Sequence, residues 1–147
     1  MLAPRPEYLS RMCFLSALSH HFWHINIFHL VANSFGTWLA VSPRRCMSEL
    51  LLAWIMASLS YLFATGPVIG FSNILFALMG MDSANKPKSW WTQPTTIIFF
   101  VTMVSMIFFP AFSAVTHITS FLMGFVYGSV TRAIRKTAAD YGRIARK

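Results

Sequence analysis

Charge is what this chain of 147 residues has least of: 11% of its positions are charged, and only Glu7, Glu49, Asp82 and Asp140 are acidic. A soluble domain carries about a quarter charged residues. With 56% hydrophobic content, the composition excludes an ordinary soluble fold and indicates a single membrane-embedded domain. Cysteine is nearly absent too. Cys13 and Cys46 form no CxxC or Cys/His ligand spacing, which excludes a disulfide framework and a zinc module, so no metal or cofactor is expected. The twelve basic residues leave a net charge of +8, yet they sit in short segments beside apolar runs. That pattern orients a protein in a bilayer and does not form a polyanion groove, so nucleic acid is not an expected partner.

Removing the charged positions leaves three uncharged stretches, 12–43, 50–81 and 89–131, each longer than the roughly 20 residues that cross a bilayer. The first becomes continuously apolar over 22–41, the expected span one. Ser48 is an expected N-cap for span two, 50–63, which Gly66 and Pro67 stop. A short segment, 72–81, ends at Gly80 and Asp82; ten residues cover about 15 Å, half the hydrocarbon thickness, so this span starts below one membrane surface and is sheltered by protein. Pro110 divides the last stretch into spans four, 90–109, and five, 113–131, with Trp90 and Trp91 at an interfacial belt.

Basic residues follow spans one, three and five, whereas the connections 64–71 and 110–113 hold no charge. The positive-inside rule then places the N-terminus outside and the C-terminus in the cytoplasm of a multi-pass protein of the cell membrane. Residues 1–11 hold no apolar h-region, so no signal peptide is expected ahead of span one. The reading divides the chain into a membrane domain, 1–131, and a basic cytoplasmic tail, 132–147.

Polar groups inside spans are costly and point to function. Span one holds His24, His29 and Asn33, span three begins with Ser72 and Asn73, and span five begins with His117; the topology brings all of them toward the outer face. His29 and Asn33, at i and i+4, share a helix face from which His24 is rotated away. Ser120, Gly124 and Gly128 form a small-residue stripe below His117, of the kind that lets helices approach closely in lipid. Ser72, Phe76 and Gly80 form a matching row on span three. If the rows face each other, His117 meets Ser72, with Phe76 one turn below. A serine hydroxyl needs an adjacent base to act as a nucleophile. No carboxylate falls within the outer part of the spans to orient the imidazole, so the expected site is a Ser–His dyad performing acyl transfer. His29, Asn33 and the backbone N–H of Ser72 are candidate donors to an oxyanion.

At these residues the chain resembles the rhomboid intramembrane serine proteases. The run from His24 through His29 to Asn33 is similar to the family's H-x-x-x-x-H-x-x-x-N helix. Gly70-Phe71-Ser72-Asn73, continuing to Gly80, resembles its G-x-S-G nucleophile helix, with Asn73 at the position of the second Gly. His117 through Gly124 resembles its histidine helix, with Ser120 at a Gly position. The first of the family's six core helices has no counterpart here. The resemblance implies an all-α, rhomboid-like polytopic bundle in a minimal form of about five transmembrane helices, with a short central serine-bearing helix. It implies Ser72 as nucleophile, His117 as general base, and His29 and Asn33 as oxyanion donors. His24, Gly70, Asn73, Phe76, Ser120 and Gly124 would be supporting residues, and the substrates transmembrane segments of other membrane proteins. Two other readings stand beside it: a catalytically inactive rhomboid-like protein that binds membrane clients, and a small electron-transfer subunit with His24, His29 and His117 as haem or metal ligands. His20 and His21 read as bland polar residues near the outer interface.

Overall fold

The computed structural model describes residues 20–22, 27–40, 47–64, 68, 70–85, 96–97, 100–101, 104 and 114–146, with the backbone alone at 20, 29, 32, 37, 39 and 40. Among the described residues the structure is helical with no strand. A 3-10 turn at His20–Phe22 precedes α1 (Ile27–Ala40); α2 (Met47–Ser60) tightens into a second 3-10 turn at Tyr61–Phe63; α3 spans Ser72–Asn85 and α4 spans Ala114–Ile144. Residues 96, 97, 100, 101 and 104, within the expected fourth span, are helical as well. Trp90, Trp91, Gly66, Pro67 and Pro110 lie outside the described residues.

Several boundaries differ from the sequence reading. Helix α2 begins at Met47, so Ser48 lies inside its first turn instead of capping it. The second helix is closed by a 3-10 turn, with the Ala64 N–H donating to the Tyr61 carbonyl at 3.1 Å. Helix α3 continues past Gly80 and Asp82 to Asn85. Gly80 therefore does not terminate the helix: it is where the next helix crosses, and a Cβ there would run into the carbonyl oxygen of Phe121. Helix α4 passes without interruption through the expected junction at 131/132 to Ile144.

The bundle is built around α3. All but Asp82 and Asn85 of its 14 residues are buried, as expected of a central helix covered on every side. Its most extensive neighbour is α4. Ser72 meets His117, Ala77 meets Gly124 and Met81 meets Gly128, so the two helices run parallel. Ala53 and Ala57 of α2 join Ile74, Leu75, Phe76, Leu78 and Phe121 in the core. The helical stretch near Thr96 is tied to α3 by a hydrogen bond: Ser83 Oγ donates to the Met79 carbonyl at 2.9 Å within α3, so the Thr96 hydroxyl donates to Ser83 Oγ at 2.8 Å.

Several polar side chains are thus buried with the apolar core, while many large apolar ones face out. Phe28, Trp38, Leu51, Val126 and Val130 are all more than half exposed, an inverted surface that suits an apolar surrounding. Among the described residues no helix is long and apolar enough to cross a membrane. Helices α1, α2 and α3 have 14 residues each, or about 21 Å, and α4 mixes Thr, Ser and His into its apolar run.

Candidate active site

Gly70 enters the site with φ of 107°, a left-handed conformation that glycine adopts without a Cβ penalty. It turns the chain so that Phe71 receives two helix-starting hydrogen bonds, from the N–H groups of Ile74 and Leu75 at 3.1 and 3.2 Å. Ser72 consequently occupies the first position of α3. Backbone N–H groups in a first turn have no partner within the helix, and the positive end of the helix dipole lies there.

His117, in the first turns of α4, reaches across to Ser72: its Nε2 lies 2.7 Å from Ser72 Oγ, with both side chains buried. With the imidazole proton on Nδ1, the serine O–H donates to Nε2, the geometry in which a histidine acts as a base toward a hydroxyl. Phe76, one turn below Ser72, holds the ring edge-to-face, with centroids 4.7 Å apart and planes at 79°. The close approach of the helices makes this pairing reachable. At Gly124 a Cβ would collide with the Ala77 carbonyl oxygen, and at Gly128 it would lie 2.8 Å from that of Met81.

The other predicted residues that the structure describes lie on α1, α3 and α4. Asn33 is buried on α1. His29 occupies the preceding turn of the same helix, and His24 lies outside the described residues. Gly36 brings α1 onto α3, where a Cβ would come within 2.6 Å of Leu75 Cδ2. Asn73 and Ser120 are both 0% exposed. Neither Asn73 amide atom nor the Ser120 hydroxyl has a hydrogen-bond partner among the described residues. The helix register explains their burial together: the step that pairs Ala77 with Gly124 and Met81 with Gly128 sets Asn73 opposite Ser120.

An unpaired buried polar group is destabilising by about 1–3 kcal/mol, whereas a glycine near a helix end costs less than the roughly 1 kcal/mol of an interior position. Asn73→Gly is therefore expected to raise the midpoint of thermal unfolding in detergent by a few degrees. A lowered midpoint would show that the amide is satisfied and stabilising.

One residue escaped the sequence reading. His21 is not a bland interfacial residue but fully buried, with its Nε2 3.2 Å from Ser58 Oγ. The partners are 37 positions apart, on different elements, and no local spacing could have linked them.

The comparison with protein-family models matches residues 11–134 to the Rhomboid domain. No curated protein and no solved structure matches the chain. The family match takes in the helices that carry Asn33, Ser72 and His117, and on its extent the chain belongs to the rhomboid family and is a rhomboid-like integral membrane protein.

Proposed function

We propose that the chain is an intramembrane serine endopeptidase that cleaves transmembrane segments of other membrane proteins. The observation that carries this reading is the 2.7 Å approach of His117 Nε2 to Ser72 Oγ at the start of a buried helix. Ser72 Oγ attacks the scissile carbonyl as His117 Nε2 takes its proton; the imidazolium then protonates the leaving amine, and water admitted from the outer side hydrolyses the acyl-enzyme. The developing oxyanion is held by the Ser72 N–H together with Asn33 and His29. Register supports Asn33 in that role. With α1 and α3 parallel, as the proposed topology has them, Asn33 on α1 and Ser72 on α3 both stand one turn toward the N-terminus from the Gly36–Leu75 contact. In this reading Gly70, Phe76, Ser120, Gly124 and Asn73 support the site, and His24, outside the described residues, is assigned a structural or entrance role. Labelling with a serine-directed fluorophosphonate tests the reading: the parent takes the label on Ser72, and a parent that remains unlabelled refutes it.

The second reading, a client-binding protein without turnover, draws on the Asn73 side chain beside the nucleophile, fully buried and without a hydrogen-bond partner among the described residues.

For both readings we propose five spans in the cell membrane, a membrane domain over 1–131 and a basic cytoplasmic tail over 132–147, with the site toward the outer face. Single cysteines at 46 and 67 test this orientation in intact cells with an impermeant thiol reagent. Position 67 is expected to react and position 46 to be protected; the opposite pattern would place the uncharged loops in the cytoplasm.

A further inference from the structure

The molecule contains a second histidine–serine pair, and it is wired in the opposite sense to the first. Ser58 Oγ donates its only proton to the Trp54 carbonyl at 2.8 Å. The His21 contact at 3.2 Å must therefore run the other way, with Nε2–H donating to Ser58 Oγ. This serine has no proton to give up to a base, so the pair is a tether and not a second nucleophile. What it tethers is the segment leading into α1. Among the described residues that helix meets the core over a narrow face: Ile27, Phe28, Val31, Phe35 and Trp38 are exposed, while Asn33 and Gly36 turn inward. The 3-10 turn carrying His21 packs against α3, and its imidazole is fully buried, so it adds an attachment at the end of α1 nearest the site.

We infer that His21, through Ser58, is a positioning residue that holds α1 at the depth and rotation where Asn33 faces Ser72. The inference rests on the peptidase reading for its consequence in catalysis, but the tether itself does not. A misplacement of about 1 Å in a catalytic group is sufficient to lower a rate by about 10²-fold, and His21 adds a point of attachment ahead of Ile27 to the approach of α1 and α3 at Gly36 and Leu75.

The test uses the full chain in detergent micelles, comparing the parent with Ser58→Ala, His21→Phe, the double variant and His21→Gln, whose amide retains an N–H donor. Two quantities are read: backbone hydrogen exchange by segment, and the rate of fluorophosphonate labelling of Ser72. Ser58→Ala and His21→Phe are expected to speed exchange over residues 27–40 while residues 72–85 and 114–131 remain as in the parent, which also reports that the core is folded. Labelling is expected to slow by about tenfold to a hundredfold in each. The double variant should be no slower than the slower single, the mark of one shared interaction, and His21→Gln should stay close to the parent. Unchanged exchange over 27–40 overturns the tether. Faster exchange with unchanged labelling overturns the positioning role, as does a His21→Gln variant as slow as His21→Phe. A parent that takes no label refutes the peptidase reading alone, and exchange over 27–40 still decides whether His21 anchors α1.

Discussion

Ser72→Ala and His117→Ala are each expected to abolish cleavage of a transmembrane reporter while leaving α3 and α4 assembled. Either change removes one half of a 2.7 Å buried hydrogen bond without altering the contacts of Ala77, Gly80 or Gly124, where the helices touch most closely. The partner left behind loses this hydrogen bond, a destabilisation of about 1–3 kcal/mol that a helix pair packed from Ser72 to Gly128 should survive. The kinetic loss is far larger, because nucleophile and base act as one unit; removing either from a serine protease lowers turnover by about 10⁶-fold. Asn33→Ala should be milder, since loss of one oxyanion donor costs about 10²–10³ in rate. This ordering separates a dyad from a packing effect. Cleavage by Ser72→Ala at the parental rate would eliminate the peptidase reading. A parent that cleaves nothing, yet retains the same membrane clients as Ser72→Ala, would favour client binding.

Gly124→Ala is expected to break the helix pair that creates the site. A methyl group at this position would overlap the Ala77 carbonyl oxygen, and a Cβ at Gly80 would meet that of Phe121. Both obstacles are backbone, so no rotamer change relieves them, and α3 and α4 must move apart. The loss should reach or exceed the roughly 1–3 kcal/mol typical of overpacking, with a lower midpoint of thermal unfolding and loss of labelling at Ser72. Two other glycines calibrate the effect. At Gly36 the obstacle is the tip of the Leu75 side chain at 2.6 Å, which can swing aside, so Gly36→Ala should fall between the extremes. At Gly142 nothing lies within 4 Å, and alanine should stabilise this exposed helix end slightly, by less than the roughly 1 kcal/mol of an interior position. Equal stability of Gly124→Ala and Gly142→Ala would show that the helices do not approach as closely as described.

Much of this arrangement was legible in the sequence because it depends on local periodicity. Ser72, Phe76 and Gly80 recur every four residues, as do Ser120, Gly124 and Gly128, and each row defines one face of a helix whatever surrounds it. The meeting of Ser72 with His117 and the ring of Phe76 follows once those faces are opposed. Helix ends were less legible. A glycine and an acidic residue read as a stop at 80–82, but in a helix buried on all sides Gly80 serves the crossing with α4 and the chain continues to Asn85. The uninterrupted course of α4 to Ile144 was hidden for a related reason: the change from apolar to basic composition near Arg132 marks a change of surroundings, not of backbone conformation.

From the sequence alone come the all-helical class, the apolar exterior and the opposed small-residue rows, since scarcity of charge and a 3.6-residue period are properties of the chain itself. Tertiary structure decided which serine keeps a proton to give. Both Ser58 and Ser72 lie beside a histidine, at 3.2 and 2.7 Å, and no pattern of neighbours distinguishes them. Ser58 sits well inside α2, where its hydroxyl reaches back to the carbonyl of Trp54. Ser72 begins α3, just after the turn at Gly70, with no earlier turn of that helix behind it. With the imidazole proton on Nδ1, its own proton goes instead to the Nε2 of His117, which only the packing of α4 against α3 brings within reach.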